Sequence, residues 1–209
     1  MLNITARQEL MRTIVETLGV VVEEARLDFG EDGLSVRVVD PSHVAMIRMD
    51  VDSAAFDTWD VDDTKLGLEM RKLKEILTQG QGTDAVYMSH DDATGQVSVK
   101  IGRIDLTMRP LDNTTLNPPN VPELDLPCGV TISGAELAQA IRASKLVSDL
   151  VNMSLTESQF SVNVKGPNSE VNADFSKDEL LAIDCSEPAR SQYSLTYLIP
   201  LAKIFQGIE

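Results

Sequence analysis

Cysteine and histidine are scarce in this 209-residue chain, two of each, and aromatic residues make up only 4% of it. Cys128 and Cys185 are too few for a disulfide framework, and the two histidines stand too far apart to suggest a metal cluster, so no metal site and no cofactor are expected. No apolar run approaches the roughly 18 residues that a membrane helix needs, and the start, MLNITARQEL, carries charge where a signal peptide would carry its apolar stretch. A cytosolic protein without membrane contact is expected. Positive charge is also short: 18 Lys and Arg face 33 Asp and Glu, a net charge of −15, which excludes a protein that coats nucleic acid through general basicity. Any DNA contact must therefore be local. With no glycine-rich phosphate loop, no nucleophile elbow and no helix bearing His and Glu at metal spacing, no catalytic residue is assigned, and a binding or scaffold role is favoured over an enzyme.

Hydrophobic residues make up 43% of the chain, enough for a sizeable core, and they are arranged twice over. At a shift of 127 positions Glu9, Leu10 and Ile14 fall on Glu136, Leu137 and Ile141, and at 126 the segment Ala25 to Val38 falls on Val151 to Val164. Leu68, Met70, Leu77 and Gly80 fall on Leu195, Tyr197, Ile204 and Gly207, again at 127. Such persistence indicates a duplication, each half reading as a short strand, an amphipathic helix, several strands and a second short helix. Helices are expected over residues 7–18, 71–79, 135–147 and 198–206, and the alternating runs in the first half over 34–40, 44–51, 65–70, 85–90, 97–101 and 103–110. Runs of strands broken by a few helices indicate an α+β class with largely antiparallel sheets. The expected organisation is a first domain over 1–111, a linker over 112–128 and a second domain over 129–209.

The linker carries four prolines between Leu111 and Pro127 and no Lys or Arg, favouring an extended surface course. It can be a plain connector, or Val121, Leu124 and Leu126 can form one wall of a groove for a partner peptide. If the second half followed the first to its end, it would need about 29 more residues to supply three further strands, so it reads as either truncated or naturally smaller.

Charge is segregated by element. The four expected helices hold eight of the 18 Lys and Arg, namely Arg7, Arg12, Arg71, Lys72, Lys74, Arg142, Lys145 and Lys203, against four acids, a net +4 that leaves −19 elsewhere. A basic helical surface on an acidic protein suits phosphate contact without base reading. Solvated helices favour Lys and Arg in any case, but they are usually rich in Glu too, which is scarce here.

The segment VVDPSHVAMIRM, Val38 to Met49, resembles the signature of the archaeal and eukaryotic DNA sliding clamp family, proliferating cell nuclear antigen (PCNA). PELDLP (Pro122 to Pro127), ISGAELAQAIRASKLVSD (Ile132 to Asp149) and SLTYLIPLAKI (Ser194 to Ile204) are similar to clamp segments in the same order, archaeal ones especially. The resemblance implies a DNA clamp fold: two similar domains per chain, sheets outside and helices lining a homotrimeric ring around duplex DNA. It implies a non-enzymatic tether for DNA polymerase, clamp loader, flap endonuclease and DNA ligase, acting through a short peptide motif, in the cytoplasm at the nucleoid if archaeal or in the nucleus if eukaryotic. It places His43, Val44 and Met46 on the floor of the partner-peptide pocket and Leu124 and Leu126 on its rim. It joins subunits edge to edge through Arg103, Ile104, Leu106 and Met108 on one side and Val171, Ala173, Phe175 and Lys177 on the other. The competing readings are a specialised subunit of a heterotrimer and an acidic protein-interaction module that never meets DNA.

Overall fold

Period-two alternation makes strands the commonest element, and the computed structural model, which describes residues 1–207, divides the chain into two units, Met1–Val121 and Pro122 onward. In unit 1, β1 (Leu2–Arg7) runs straight into α1 (Gln8–Leu18), followed by β2 (Glu24–Gly30), β3 (Gly33–Val39), β4 (Met46–Asp52), β5 (Thr58–Val61), β6 (Thr64–Glu69), α2 (Met70–Leu77), β7 (Ala85–Asp91), β8 (Gln96–Ile101) and β9 (Ile104–Met108). Two antiparallel sheets result, ordered β5-β1-β7-β8-β9 and β4-β3-β2-β6. Their inward residues, among them Leu2, Ile4, Leu66, Leu68, Met88 and Val99, are buried together with one face of each helix. Burial of each such side chain contributes about 1.5–3 kcal/mol.

Unit 2 comprises β10 (Cys128–Thr131), α3 (Gly134–Ser144), β11 (Leu150–Leu155), β12 (Gln159–Lys165), β13 (Glu170–Ser176), β14 (Ala182–Cys185), β15 (Ala189–Ser194) and α4 (Leu195–Phe205). Its sheets are β10-β14 and β13-β12-β11-β15, closing over a core that includes Ile132, Ile141, Val151, Phe160, Val162 and Leu195.

The duplication is visible in matching tertiary hydrogen bonds. The amide of Ser53 donates to the Asp32 carbonyl as that of Lys177 does to Ser158, and Asp57 donates to Thr5 as Leu181 does to Thr131. Met70 donates to Glu23 as Leu195 does to Asp149, in both cases tying the first residue of the second helix to the turn after the first. This last pair corrects the sequence register. Met70 corresponds to Leu195, not Tyr197, a shift of 125, because the repeats lose a residue or two between β3 and α4. The same slip explains why α4 begins at Leu195 and not at residue 198, with Pro200 inside it.

Three further features depart from the sequence reading. Strand β5, only four residues long with Trp59 between polar neighbours, carried no usable alternation. The segment expected as a free linker begins inside unit 1: Leu111 donates to the Gly67 carbonyl, and Leu116 packs over Gly67, where β6 leaves room for it. The two cysteines do meet, because β10 and β14 place Cys128 directly across from Cys185, where they form a disulfide. Where β1 has neighbours on both sides, β10 has β14 alone among the described residues. Val130, Ile132, Met153, Leu155, Phe160 and Tyr193 accordingly line an apolar cleft of about 250 Å³ in unit 2.

Two glycines set a graded test of unit 1. Gly33, at φ 144°, opens β3 where a Cβ would overlap the Val51 carbonyl, whereas Gly95, at φ 64°, has open space around it. Gly33→Ala is expected to destabilise unit 1 by about 3 kcal/mol or more and Gly95→Ala by about 1 kcal/mol, measured by urea unfolding. Equal losses would contradict the packing described for the β3–β4 pair.

Candidate DNA-facing and partner-binding surfaces

The helices of each unit have one apolar face, and its burial dictates where the cations point. Met11, Ile14, Val15 and Leu18 of α1 and Met70, Leu73, Ile76 and Leu77 of α2 turn inward at helical spacing. Arg7, Arg12, Arg71, Lys72 and Lys74 are left exposed. The two helices are packed together and locked at one end by buried Gln8, whose Nε2 donates to the Leu77 carbonyl at 2.7 Å while its amide donates to Asp84 at 2.8 Å. That bond satisfies one of the carbonyls α2 leaves open at its C-terminus. In unit 2, α3 packs on α4, with Arg142, Lys145 and Lys203 all exposed and Arg142 Nη1 donating to Gln206 Oε1 at 3.3 Å.

Several of these cations have acidic partners. Glu16 accepts from Arg12 Nε at 3.0 Å and lies 3.4 Å from Lys74 Nζ, so one carboxylate spans α1 and α2. Glu69 pairs with Lys72 at 2.6 Å, and Asp149 pairs with Lys145. Among the described residues Arg7, Arg71, Arg142 and Lys203 have no ion pair. Partial burial alone would raise the Glu16 pKa, but the hydrogen bond from Arg12 and the nearby Lys74 outweigh it and hold the carboxyl below its ordinary value of 4.5.

The signature segment forms a tight loop between β3 and β4. Asp40, buried at 3% exposure, accepts from Ser42 N through Oδ2 at 2.8 Å and from Val44 N and Ala45 N through Oδ1 at 2.6 and 2.7 Å. Its own amide donates to the Ala45 carbonyl at 3.0 Å. His43 sits at φ 55°, the one non-glycine residue with positive φ among those described. The loop leaves His43 and Met46 exposed and Val44 67% exposed, a surface of an imidazole and two apolar side chains on unit 1. Leu124 and Leu126 belong to unit 2 and are each 69% exposed, so five residues named from the sequence all present their side chains to solvent. Asp40 and Glu16 were not among the sequence-level candidates: a buried anchor and a cross-helix bridge depend on contacts that no local pattern announces.

The strands named for subunit contact are sheet edges. Among the described residues β9 is bonded only to β8 and carries Ile104, Leu106 and Met108, with Ile104 exposed, and β13 is bonded only to β12 and carries Val171, Ala173 and Phe175, all half-buried. Arg103 lies in the turn before β9 and Lys177 in the 3-10 turn after β13, so these two flank the strands without belonging to them.

Glu16→Gln tests the bridge. The substitution is expected to lower unit 1 stability near neutral pH by about 0.5–1 kcal/mol. Because the folded pKa is depressed, the carboxylate's contribution is full above the unfolded value of 4.5 and fades as pH falls through the lower folded value. Unfolding curves of parent and variant should therefore converge at acid pH. A difference that persists or grows there would show that the ion pairs are not its source.

The first 105 residues match the family model of the proliferating cell nuclear antigen N-terminal domain. A DNA polymerase sliding clamp of Methanosarcina barkeri is 32% identical over 196 residues, covering 93% of this chain and 80% of that protein. One from Methanoregula boonei is 33% identical over 207 residues, covering 98% and 83%. The solved structure of A. fulgidus PCNA bound to the C-terminal region of FEN-1 superposes with a TM-score of 0.93 at 28% identity, over 98% of this chain and 83% of that one. PCNA of Thermococcus kodakaraensis shares the fold, at a TM-score of 0.87 and 20% identity over 99% and 87%. Together with the duplicated α+β units and the signature loop, these matches establish that the chain belongs to the PCNA family of DNA polymerase sliding clamps.

Proposed function

We propose that this chain works as a processivity clamp: three copies close around duplex DNA and hold DNA polymerase, clamp loader, flap endonuclease and ligase at their sites of action. The carrying observation is the gathering of cations at the helices of a chain with net charge −15: Arg12, Arg71, Lys72, Lys74, Arg142 and Lys203 lie exposed on them, with Arg7 at the end of β1 just before α1 and Lys145 just after α3. Cations without base-reading partners attract the phosphate backbone irrespective of sequence and let the protein move along it, while the acidic remainder repels DNA from every other approach. The free edges of β9 and β13 support closure, since an open strand edge is satisfied by pairing with another chain, and head-to-tail pairing of one edge type with the other closes into a ring at the right rotation.

No chemistry is asked of the clamp. A tethered enzyme that lets go of DNA remains nearby, so rebinding is governed by an effective concentration and not by diffusion from bulk. The exposed His43, Val44 and Met46, with Leu124 and Leu126 of the linker segment, support capture of a short peptide carrying a glutamine, an aliphatic anchor and paired aromatics. The relative solved with the C-terminal region of FEN-1 supports a peptide as the form in which partners present themselves.

Two measurements test this reading. Replacing Arg12, Arg71, Lys72, Lys74, Arg142, Lys145 and Lys203 together by Ala is expected to abolish stimulation of polymerase on long templates and to flatten the salt dependence of DNA association, whereas single replacements change either by less than about twofold. Undiminished stimulation by the seven-fold variant would refute DNA contact through the helices. Met46→Ser with Leu126→Ser is expected to weaken a labelled partner peptide by at least about tenfold in a fluorescence titration. Unchanged affinity would move the partner site elsewhere.

A further inference from the structure

We propose that Asp40 is a positioning residue for partner capture: its buried carboxylate holds His43 in the left-handed conformation and so presets the imidazole and Val44 for the incoming peptide. The proposal rests on the reading that partners dock at His43, Val44 and Met46. Its evidence is the internal geometry of the loop. An ionised carboxylate only accepts hydrogen bonds, and this one takes three from backbone amides of a single loop, Ser42 N, Val44 N and Ala45 N, at 2.6–2.8 Å. Backbone bonds close the same loop from both ends, from Asp40 N to the Ala45 carbonyl and from His43 N to the Asp40 carbonyl at 2.9 Å.

The conformation so enforced is one His does not choose. At φ 55° its Cβ crowds the following carbonyl, and such a residue persists only where its surroundings over-determine it. The amide of Val44 follows directly on His43 ψ, so a hydrogen bond from that amide to Asp40 fixes the peptide plane that sets where His43 and Val44 project. Labour is divided: Asp40, 3% exposed, is out of a ligand's reach, while Val44, 67% exposed, is open to it. A loop already frozen in its binding form spares the complex the entropy of ordering it.

The test titrates one labelled peptide, with a glutamine, an aliphatic anchor and two aromatics, against the full chain and its variants. Asp40→Asn keeps the shape but replaces one acceptor oxygen by an NH2 that faces a backbone N–H, and is expected to weaken binding about tenfold while the chain remains folded by circular dichroism. In a His43→Gly background, where φ 55° carries no penalty, the same change should weaken binding by less than about threefold. Equal peptide affinity for parent and Asp40→Asn, or a full tenfold loss in both backgrounds, overturns the positioning role and leaves the docking reading standing. A parent chain that binds no peptide overturns both. Should Asp40→Asn fail to fold, amide exchange on the parent decides: the Val44 and Ala45 amides are expected to be protected without peptide and to gain less than about twofold when it is added. Unprotected amides in the free chain would overturn the proposal.

Discussion

The burial of one face of each helix against the sheets is the constraint from which the rest follows. Met11, Ile14, Leu18, Leu73 and Leu77 can leave water only if α1 and α2 are rotated one way, and that rotation sends Arg12, Arg71, Lys72 and Lys74 outward. The hydrophobic effect, which is indifferent to charge sign, thus determines where positive charge is displayed. An acidic chain acquires local cationic surfaces without ceasing to be acidic, which is what a protein that must slide on DNA without adhering to it requires.

Carboxylates serve three ends here. Most are solvated and contribute to the negative field. Glu16 instead crosses from α1 to α2, pairing with both Arg12 and Lys74 and offsetting part of their positive charge. Asp40 is buried and accepts three backbone hydrogen bonds from the loop after β3. In both cases a negative group helps to place side chains that the proposed function assigns to ligand contact.

Much of this was legible in the sequence because the responsible forces are local and periodic. Alternation in Leu34 to Val39 or Gln96 to Ile101 reports a half-buried strand directly, and the spacing of Leu10, Ile14, Val15 and Leu18 reports a helix face. Gathering of cations on helices could be counted, and the signature at Val38 to Met49 and the order of segments pointed to the family that the comparisons establish. What escaped depends on distance or on small offsets. The pairing of Cys128 with Cys185 follows from the register of β10 on β14, 57 residues apart in sequence. The correct match of Met70 to Leu195 was hidden by changes in loop length that a nearly constant shift smooths over. Leu111 and Leu116 look like linker and are packed on β6, because the glycine at position 67 is an invitation visible only once β6 has formed.

Topological linkage to DNA is the central claim, and retention on DNA with and without free ends measures it most directly. The chain, loaded onto a nicked circular duplex and passed through a sizing column at moderate salt, should travel with the circle and be lost once a single cut makes it linear. Retention on the linear form equal to that on the circle would mean that the protein holds DNA by adhesion, and would contradict the account.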